Sequence, residues 1–281
     1  MTGDFESQGF CVIPGFFNLK RLEQLEHQIT CIFMMQADKI SDYHGVRARY
    51  LEDEQVDPAA AMRHLCAVME TADKEALYQA QKMLPRSQGV RGFFSPDLLA
   101  QCAVLLGVHP QDLLLDGPAL FVNQPTVNRL LYRWHSEANY YGKRRRFLNL
   151  WFPIFGDRTA ENGAMSLRPG SHKRVWDASL MVEYSGWDKA AEGKRSQFIQ
   201  MEIPENFLTE YPRFECETKR GDLVIFDRNL VHTSNPNVSN EIAFSIVARV
   251  WTPIDDLTLS GDMEATPYGG NLGRAGLVVR P

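Results

Sequence analysis

The stretch Gly221-Asp222-Leu223-Val224-Ile225-Phe226-Asp227-Arg228-Asn229-Leu230-Val231-His232 sets a turn, an apolar strand, a second turn and a histidine in succession. Gly221-Asp222 is a turn pair, and the apolar run behind it is too short for a helix and suits a strand buried on both faces. Asp227-Arg228-Asn229 reverses the chain again. His232 is thereby carried back toward the mouth of whatever β-structure the run belongs to.

Segments of the same kind recur outward from this one: Leu113–Leu115, Ala119–Asn123, Leu130–His135, Phe147–Ile154, Ala164–Arg168, Gln197–Ile203 and Ile242–Val250. So many short strands between turn residues predict a mainly β fold, an antiparallel jelly roll of the cupin-like kind. The front of the chain reads differently. A short helix leads into a strand at Phe10–Ile13, Asn18 is placed as an N-cap, and Leu22, Leu25, Ile29 and Ile32 recur at helical spacing to Ala37. Helical spacing resumes from Ala59 to Met83, and Ser95-Pro96 opens a further helix with Leu98, Leu99, Cys102, Leu105 and Leu106 as its stripe. The expectation is one domain over 1–281: a helical front to about 110, a β-rich core over about 111–255 and a C-terminal tail.

Bulk properties narrow the class. With 281 residues, 44% of them hydrophobic, the chain is long enough for a proper core. A net charge of −5 argues against a general nucleic-acid binder. No apolar run reaches the ~18–20 residues that span a bilayer, and no leader pattern stands at the N-terminus. The five cysteines, Cys11, Cys31, Cys66, Cys102 and Cys216, are odd in number and show no CxxC spacing. They read as reduced thiols of a cytoplasmic protein.

The chemistry-bearing pattern is Arg133-Trp134-His135-Ser136-Glu137. Residues i and i+2 of a strand share a face, so Arg133, His135 and Glu137 are expected on one side and Tyr132 and Trp134 on the other. His135 and Glu137 can then grip one cation, with His232 as a third ligand. Two imidazoles and one carboxylate with open positions opposite suit non-haem Fe(II). His27, His44, His64 and His109 lack a ligand partner at strand spacing, and His172 reads as a turn residue.

These pieces, in their order, resemble the phytanoyl-CoA dioxygenase family of Fe(II)/2-oxoglutarate-dependent oxygenases. The resemblance is carried by Phe5–Phe17, Trp134-His135-Ser136-Glu137, Leu150-Trp151-Phe152-Pro153, Glu161-Asn162-Gly163-Ala164-Met165, Arg168-Pro169-Gly170-Ser171-His172-Lys173, Gly221–Phe226 and His232-Thr233-Ser234. It implies a double-stranded β-helix and a catalytic iron held by His135, Glu137 and His232. It further implies 2-oxoglutarate and O2 as cosubstrates and hydroxylation of a C–H bond in a small or carrier-linked metabolite.

Two departures stand out. The family's carboxylate is usually Asp, and here it is Glu137. The family also places an arginine about eleven residues past the second histidine, where it pairs with the distal carboxylate of 2-oxoglutarate; that position is Ala243. Alanine cannot replace a bidentate guanidinium. Arg249 and Arg133 are the first candidates to take its place. Arg249 lies six residues beyond Ala243, roughly 20 Å along an ideal strand, so it would serve only through a bulge or a register change. Ser234, Ser245, Tyr132 and Asn123 stand where relatives contact the cosubstrate. Tyr140 is placed to line the pocket, and Lys143 and Arg144 to attract an anionic substrate. Against the oxygenase reading stand a non-catalytic metal- or metabolite-binding jelly roll that has lost 2-oxoglutarate, and an isomerase using another metal.

Overall fold

The computed structural model describes residues 4–40, 45, 50, 56–127, 131–141, 145–176, 180, 182–184 and 200–255. Ten strands carry the architecture: β1 (Phe10–Ile13), β2 (Leu114–Asn123), β3 (Arg145–Ile154), β4 (Ser166–Leu167), β5 (Val182–Tyr184), β6 (Gln200–Glu202), β7 (Phe214–Glu215), β8 (Leu223–Asp227), β9 (His232–Thr233) and β10 (Ala243–Asp255). They pair antiparallel in a five-stranded sheet ordered β1-β8-β3-β10-β2, a three-stranded sheet ordered β7-β4-β9 and a β5-β6 ribbon. This is the jelly roll that the strand spacing predicts.

Alternation along β3 explains the layering. Leu148, Leu150, Phe152 and Ile154 pack with Leu22, Leu25, Ile29 and Phe33 of the helix Leu19–Ala37 and with Met62, Leu65 and Met69 of the helix Pro58–Ala72. Trp151, on the opposite face, joins Phe10, Val224, Phe226 and Leu167 between the two sheets. The strand Leu223–Asp227 obeys the same rule, with Leu223 and Ile225 toward the helices and Val224 and Phe226 inside. The large sheet is thus covered by helices on one face, and the other face is the inner wall of the roll.

The sequence expectations shift in four places. The helical pattern over Ala59–Met83 breaks at Asp73, whose φ is −155° and whose carboxylate accepts the Ala76 N–H, so one helix ends and Lys74–Met83 begins. Ser95 occupies the N-cap position before Pro96, but its side chain makes no capping bond. The segments Leu113–Leu115 and Ala119–Asn123 merge into one ten-residue strand. Residues 131–134 form no strand, and His135 makes an isolated bridge with His232. The acidic loop over 40–56, the region 175–194, Lys143, Arg144 and the tail beyond 255 lie wholly or mostly outside the described residues.

Among the described residues no helix is long and apolar enough to cross a membrane. Cys11, Cys66, Cys102 and Cys216 are buried, and burial pushes the Cys102 and Cys216 thiols up to about 12. These four are packed, unreactive thiols.

One buried charge ties the helical layer to the roll. Glu26, 4% exposed, takes both Arg220 N–H groups, at 2.7 and 2.6 Å, and the Phe155 backbone N–H at 2.7 Å. Removing it strands a guanidinium and a peptide donor together. Glu26→Ala is expected to lower unfolding stability by about 2–4 kcal/mol, read from urea melts; a change below about 0.5 kcal/mol would show that the pair contributes no more than a surface ion pair.

Candidate metal centre

The peptide groups of His135 and His232 exchange two hydrogen bonds, His135 N–H to His232 O at 3.0 Å and His232 N–H to His135 O at 2.9 Å. Residues directly opposite in an antiparallel bridge put their side chains on the same face. The two imidazole rings accordingly lie 4.2 Å apart, centroid to centroid. Each Nδ1 meets the carbonyl two residues back: His135 to Arg133 O at 2.6 Å and His232 to Leu230 O at 2.9 Å. A carbonyl only accepts, so both Nδ1 atoms carry the proton and both Nε2 lone pairs face the centre.

Glu137 completes the cluster from a turn. Its own carbonyl accepts the Tyr140 and Tyr141 N–H groups, and the following Ala138 N–H goes to Arg228 O. Its Oε1 lies 3.8 Å from His135 Nε2 and 3.9 Å from His232 Nε2. One ligand atom from each residue falls within 4.8 Å of the others, and all three residues are buried. Tyr132, Tyr140 and Phe226 frame the imidazoles, with ring centroids 5.3 and 5.7 Å from His135 and 4.9 Å from His232 respectively.

The electrostatics are set by Arg249. Its Nη2 stands 3.0 Å from Glu137 Oε1, and its guanidinium lies 4.6 Å above the Tyr141 ring. Burial alone would raise the Glu137 carboxyl. The Arg249 guanidinium and the His135 contact outweigh it and hold the carboxyl well below the usual carboxylate range. Burial and the neighbouring His135 imidazole push His232 down to about 3, so that ring is neutral in its resting environment. Two imidazoles whose Nδ1 protons are committed to carbonyls, together with an ionised carboxylate, form a donor set suited to a divalent cation.

β10 stays in unbroken register with β3 from Phe244 to Trp251, so plain alternation sets Arg249 on the face of Ala243 and Ser245 and against Glu137. The register shift between Val247 and Arg249 is toward β2, which carries the extra residue, so β10 itself lacks the bulge that would bring Arg249 to the place of an arginine at 243. Arg133 departs from expectation. It sits outside any strand, is 58% exposed at its side chain and pairs with Glu202 at 2.8 Å. The shared face expected of Arg133, His135 and Glu137 fails because the segment pairs only at His135 and then turns.

The remaining candidates occupy the inner wall. Asn123 and Ala243 are register partners, and Ser245 shares their face two residues along β10. Asn123 donates to Gly163 O and Asn235 O, while its Oδ1 and the fully buried Ser245 Oγ have no hydrogen-bond partner among the described residues. Ser234 is half-buried beside His232, and its N–H goes to Tyr132 O. Tyr140 accepts the Met201 N–H through its hydroxyl.

Two wall residues escaped the sequence reading. Asn149 is the register partner of Arg249 and Phe226, is 0% exposed, and finds no hydrogen-bond partner for either end of its amide among the described residues. It was signalled by a lone amide within the apolar run Phe147–Phe152. Arg158 is 1% exposed, and nothing in its neighbourhood of turn residues announces that.

A family profile described as phytanoyl-CoA dioxygenase (PhyH) matches residues 5–244. The chain belongs to this family. The match contains His135, Glu137 and His232 and stops before Arg249 is reached. No curated protein matches the chain. Among solved structures, EvdO2 from Micromonospora carbonacea var. aurantiaca, complexed with 2-oxoglutarate, superposes with a TM-score of 0.53 at 13% identity, covering 94% of this chain and 93% of that one. The epimerase SnoN from nogalamycin biosynthesis gives 0.50 at 15% identity, covering 88% and 80%. At such identities these likenesses establish a shared fold.

Arg249 should matter for metal binding although it donates no ligand. Arg249→Met leaves Glu137 buried without its cation, so burial governs and the carboxyl titrates upward. Fe(II) or Mn(II) affinity is expected to fall about 10- to 100-fold and to weaken further as pH drops. Calorimetric titration at two pH values checks this; unchanged affinity would show that Glu137 does not depend on Arg249.

Proposed function

We propose that this protein is a non-haem Fe(II)- and 2-oxoglutarate-dependent dioxygenase that hydroxylates a C–H bond of a small or carrier-linked metabolite. The observation that supports it most is the convergence of two Nε2 lone pairs and one carboxylate oxygen on a single buried point, with both Nδ1 protons committed elsewhere. EvdO2 was crystallised with 2-oxoglutarate, and SnoN with Fe3+, alpha ketoglutarate and nogalamycin RO. Iron with 2-oxoglutarate and O2, when bound, supplies the oxidising chemistry.

The chain's own residues do the rest. His135, His232 and Glu137 would hold the cation, offering it two Nε2 atoms and one carboxylate oxygen. Arg249 keeps the carboxylate ionised and aimed. The tyrosine and phenylalanine rings around the imidazoles exclude water from the reacting side. Asn149 and Ser245 are buried with hydrogen-bonding groups that no described residue meets, and they offer polar contacts to a small ligand beside the cluster. Tyr140 stands near enough to line a substrate pocket. We take the chain as one domain, acting in the cytoplasm, where its buried thiols stay reduced.

A second reading, a metal- or metabolite-binding jelly roll without turnover, rests on Ala243. The two are separated by incubating the Fe(II)-loaded protein with 2-oxoglutarate in air. Succinate is expected even without prime substrate, slowly, and is expected to vanish in His135→Ala and His232→Ala while circular dichroism and melting stay close to wild type. Absence of succinate from a protein that binds stoichiometric Fe(II) would favour the binding module.

A further inference from the structure

The family's arginine is missing at 243, and the two first candidates to replace it are engaged elsewhere, Arg249 on Glu137 and Arg133 on Glu202. A third guanidinium lies on the inner wall. Arg158 is bridged to Thr218 through reciprocal backbone bonds. Its burial, at 1% exposed, and its bond to the Gly163 carbonyl place its side chain inside the roll. Among the described residues no carboxylate lies within salt-bridge reach of it, and its Nε and Nη1 have no acceptor. Burial without a counter-anion pushes it down to about 10, so it still carries its charge at neutral pH. An unpaired buried cation is among the costliest features a fold can hold.

Its position is informative. Arg158 Nη2 donates to Gly163 O at 2.6 Å, and Asn123 Nδ2 donates to the same oxygen at 3.3 Å. Asn123 is the register partner of Ala243, so its amide and the Ala243 methyl are side by side on one face. The guanidinium thus comes to the corner of the wall where an arginine at 243 would have projected. Gly163 lets the Asn123 amide close on this corner: φ is +81°, and a Cβ there would clash with Asn123 Nδ2. Three more unmet polar atoms belong to this wall: Asn123 Oδ1, Thr218 Oγ1 on the residue bridged to Arg158, and Ser245 Oγ two residues from Ala243. Asn235, whose carbonyl also receives the Asn123 amide, is three residues past His232, so this corner lies on the chain that leaves the second imidazole.

We propose that Arg158 anchors the distal carboxylate of 2-oxoglutarate, supplying from the segment before β4 the cation that β10 lacks at Ala243. The assignment rests on the oxygenase reading above. Asn123 and Ser245 serve as neutral partners beside it. The charged fork fixes where the cosubstrate ends, and the smallness of Ala243 leaves the room for it.

Anaerobic calorimetry at saturating Fe(II) tests this with two ligands. One is 2-oxoglutarate; the other is 2-oxopentanoate, the same carbon chain without the terminal carboxylate. Wild type is expected to prefer 2-oxoglutarate by about 100-fold or more. Arg158→Met should abolish the preference by weakening 2-oxoglutarate alone, leaving 2-oxopentanoate and Fe(II) affinity in place. Arg249→Met should retain the preference. Adding Ala243→Arg to Arg158→Met should restore it.

A guanidinium that merely props the Gly163 turn would weaken both acids equally, with no rescue from 243, and that result overturns the proposal. So does loss of the preference in Arg249→Met instead, or a wild type that binds both acids equally. If Arg158→Met does not fold, Arg158→Lys keeps the charge and loses the fork. The preference should then drop about tenfold and recover with Ala243→Arg; an undiminished preference in Arg158→Lys counts against the proposal. Failure of the oxygenase reading itself looks different: a wild type that takes up Fe(II) and binds neither acid.

Discussion

The bridge between the peptide groups of His135 and His232 is the constraint from which the site follows. His135 sits in a stretch that forms no strand of its own, twelve residues past the end of β2. His232 begins β9, pinned from its other side by Leu167 of β4. Two backbone bonds fuse these distant segments and force both imidazoles to one side. Ser234 N–H to Tyr132 O and Ile203 N–H to Trp134 O hold the flanks of the same segment. Because each ring is locked by the carbonyl two residues behind it, fixing the backbone fixes the direction of the lone pairs as well. Glu137 then needs only a turn to arrive.

Charge balance explains the rest of the inner wall. Arg249 cancels Glu137 in a nearly dry environment, so the cluster is close to neutral before any cation enters. A dication adds charge that the protein does not offset, and an anionic cosubstrate is the natural complement. Polar groups left unmet on β2, β3 and β10 lie on that same wall. Apolar side chains fill the other face of these strands and meet the helices, which gives the sheet a rigid back and a polar front. Glu26 and Arg220 fasten the two layers at a point well removed in sequence from the ligands.

Much of this was legible in the residues. Helical spacing placed the helix Leu19–Ala37, and continuous apolar runs between turn residues placed the strands Phe10–Ile13 and Leu223–Phe226, the latter one residue short of its observed end. The turn, strand, turn order around 221–232 foretold where His232 would be delivered. An i, i+2 strand argument singles out His135 and Glu137, but they come together by a single bridge followed by a turn, and Arg133 accordingly turns to the surface, where it pairs with Glu202. Short-range spacing cannot distinguish these cases, since the deciding partner is nearly a hundred residues away. Asn149 was readable as an amide stranded in an apolar run. Arg158 was not: in Asp157-Arg158-Thr159 it looks like a surface turn, and only the bridge to Thr218 turns it inward.

The account stands or falls on a single cation sharing three side chains. Crystals of the protein grown without oxygen in the presence of Fe(II), measured across the iron absorption edge, locate that cation directly. The account predicts one anomalous peak per chain, in bonding contact with Nε2 of His135, Nε2 of His232 and a carboxylate oxygen of Glu137, with Arg249 still against that carboxylate. Iron bound elsewhere, or a fully loaded crystal in which His232 or Glu137 makes no contact with the peak, would contradict it.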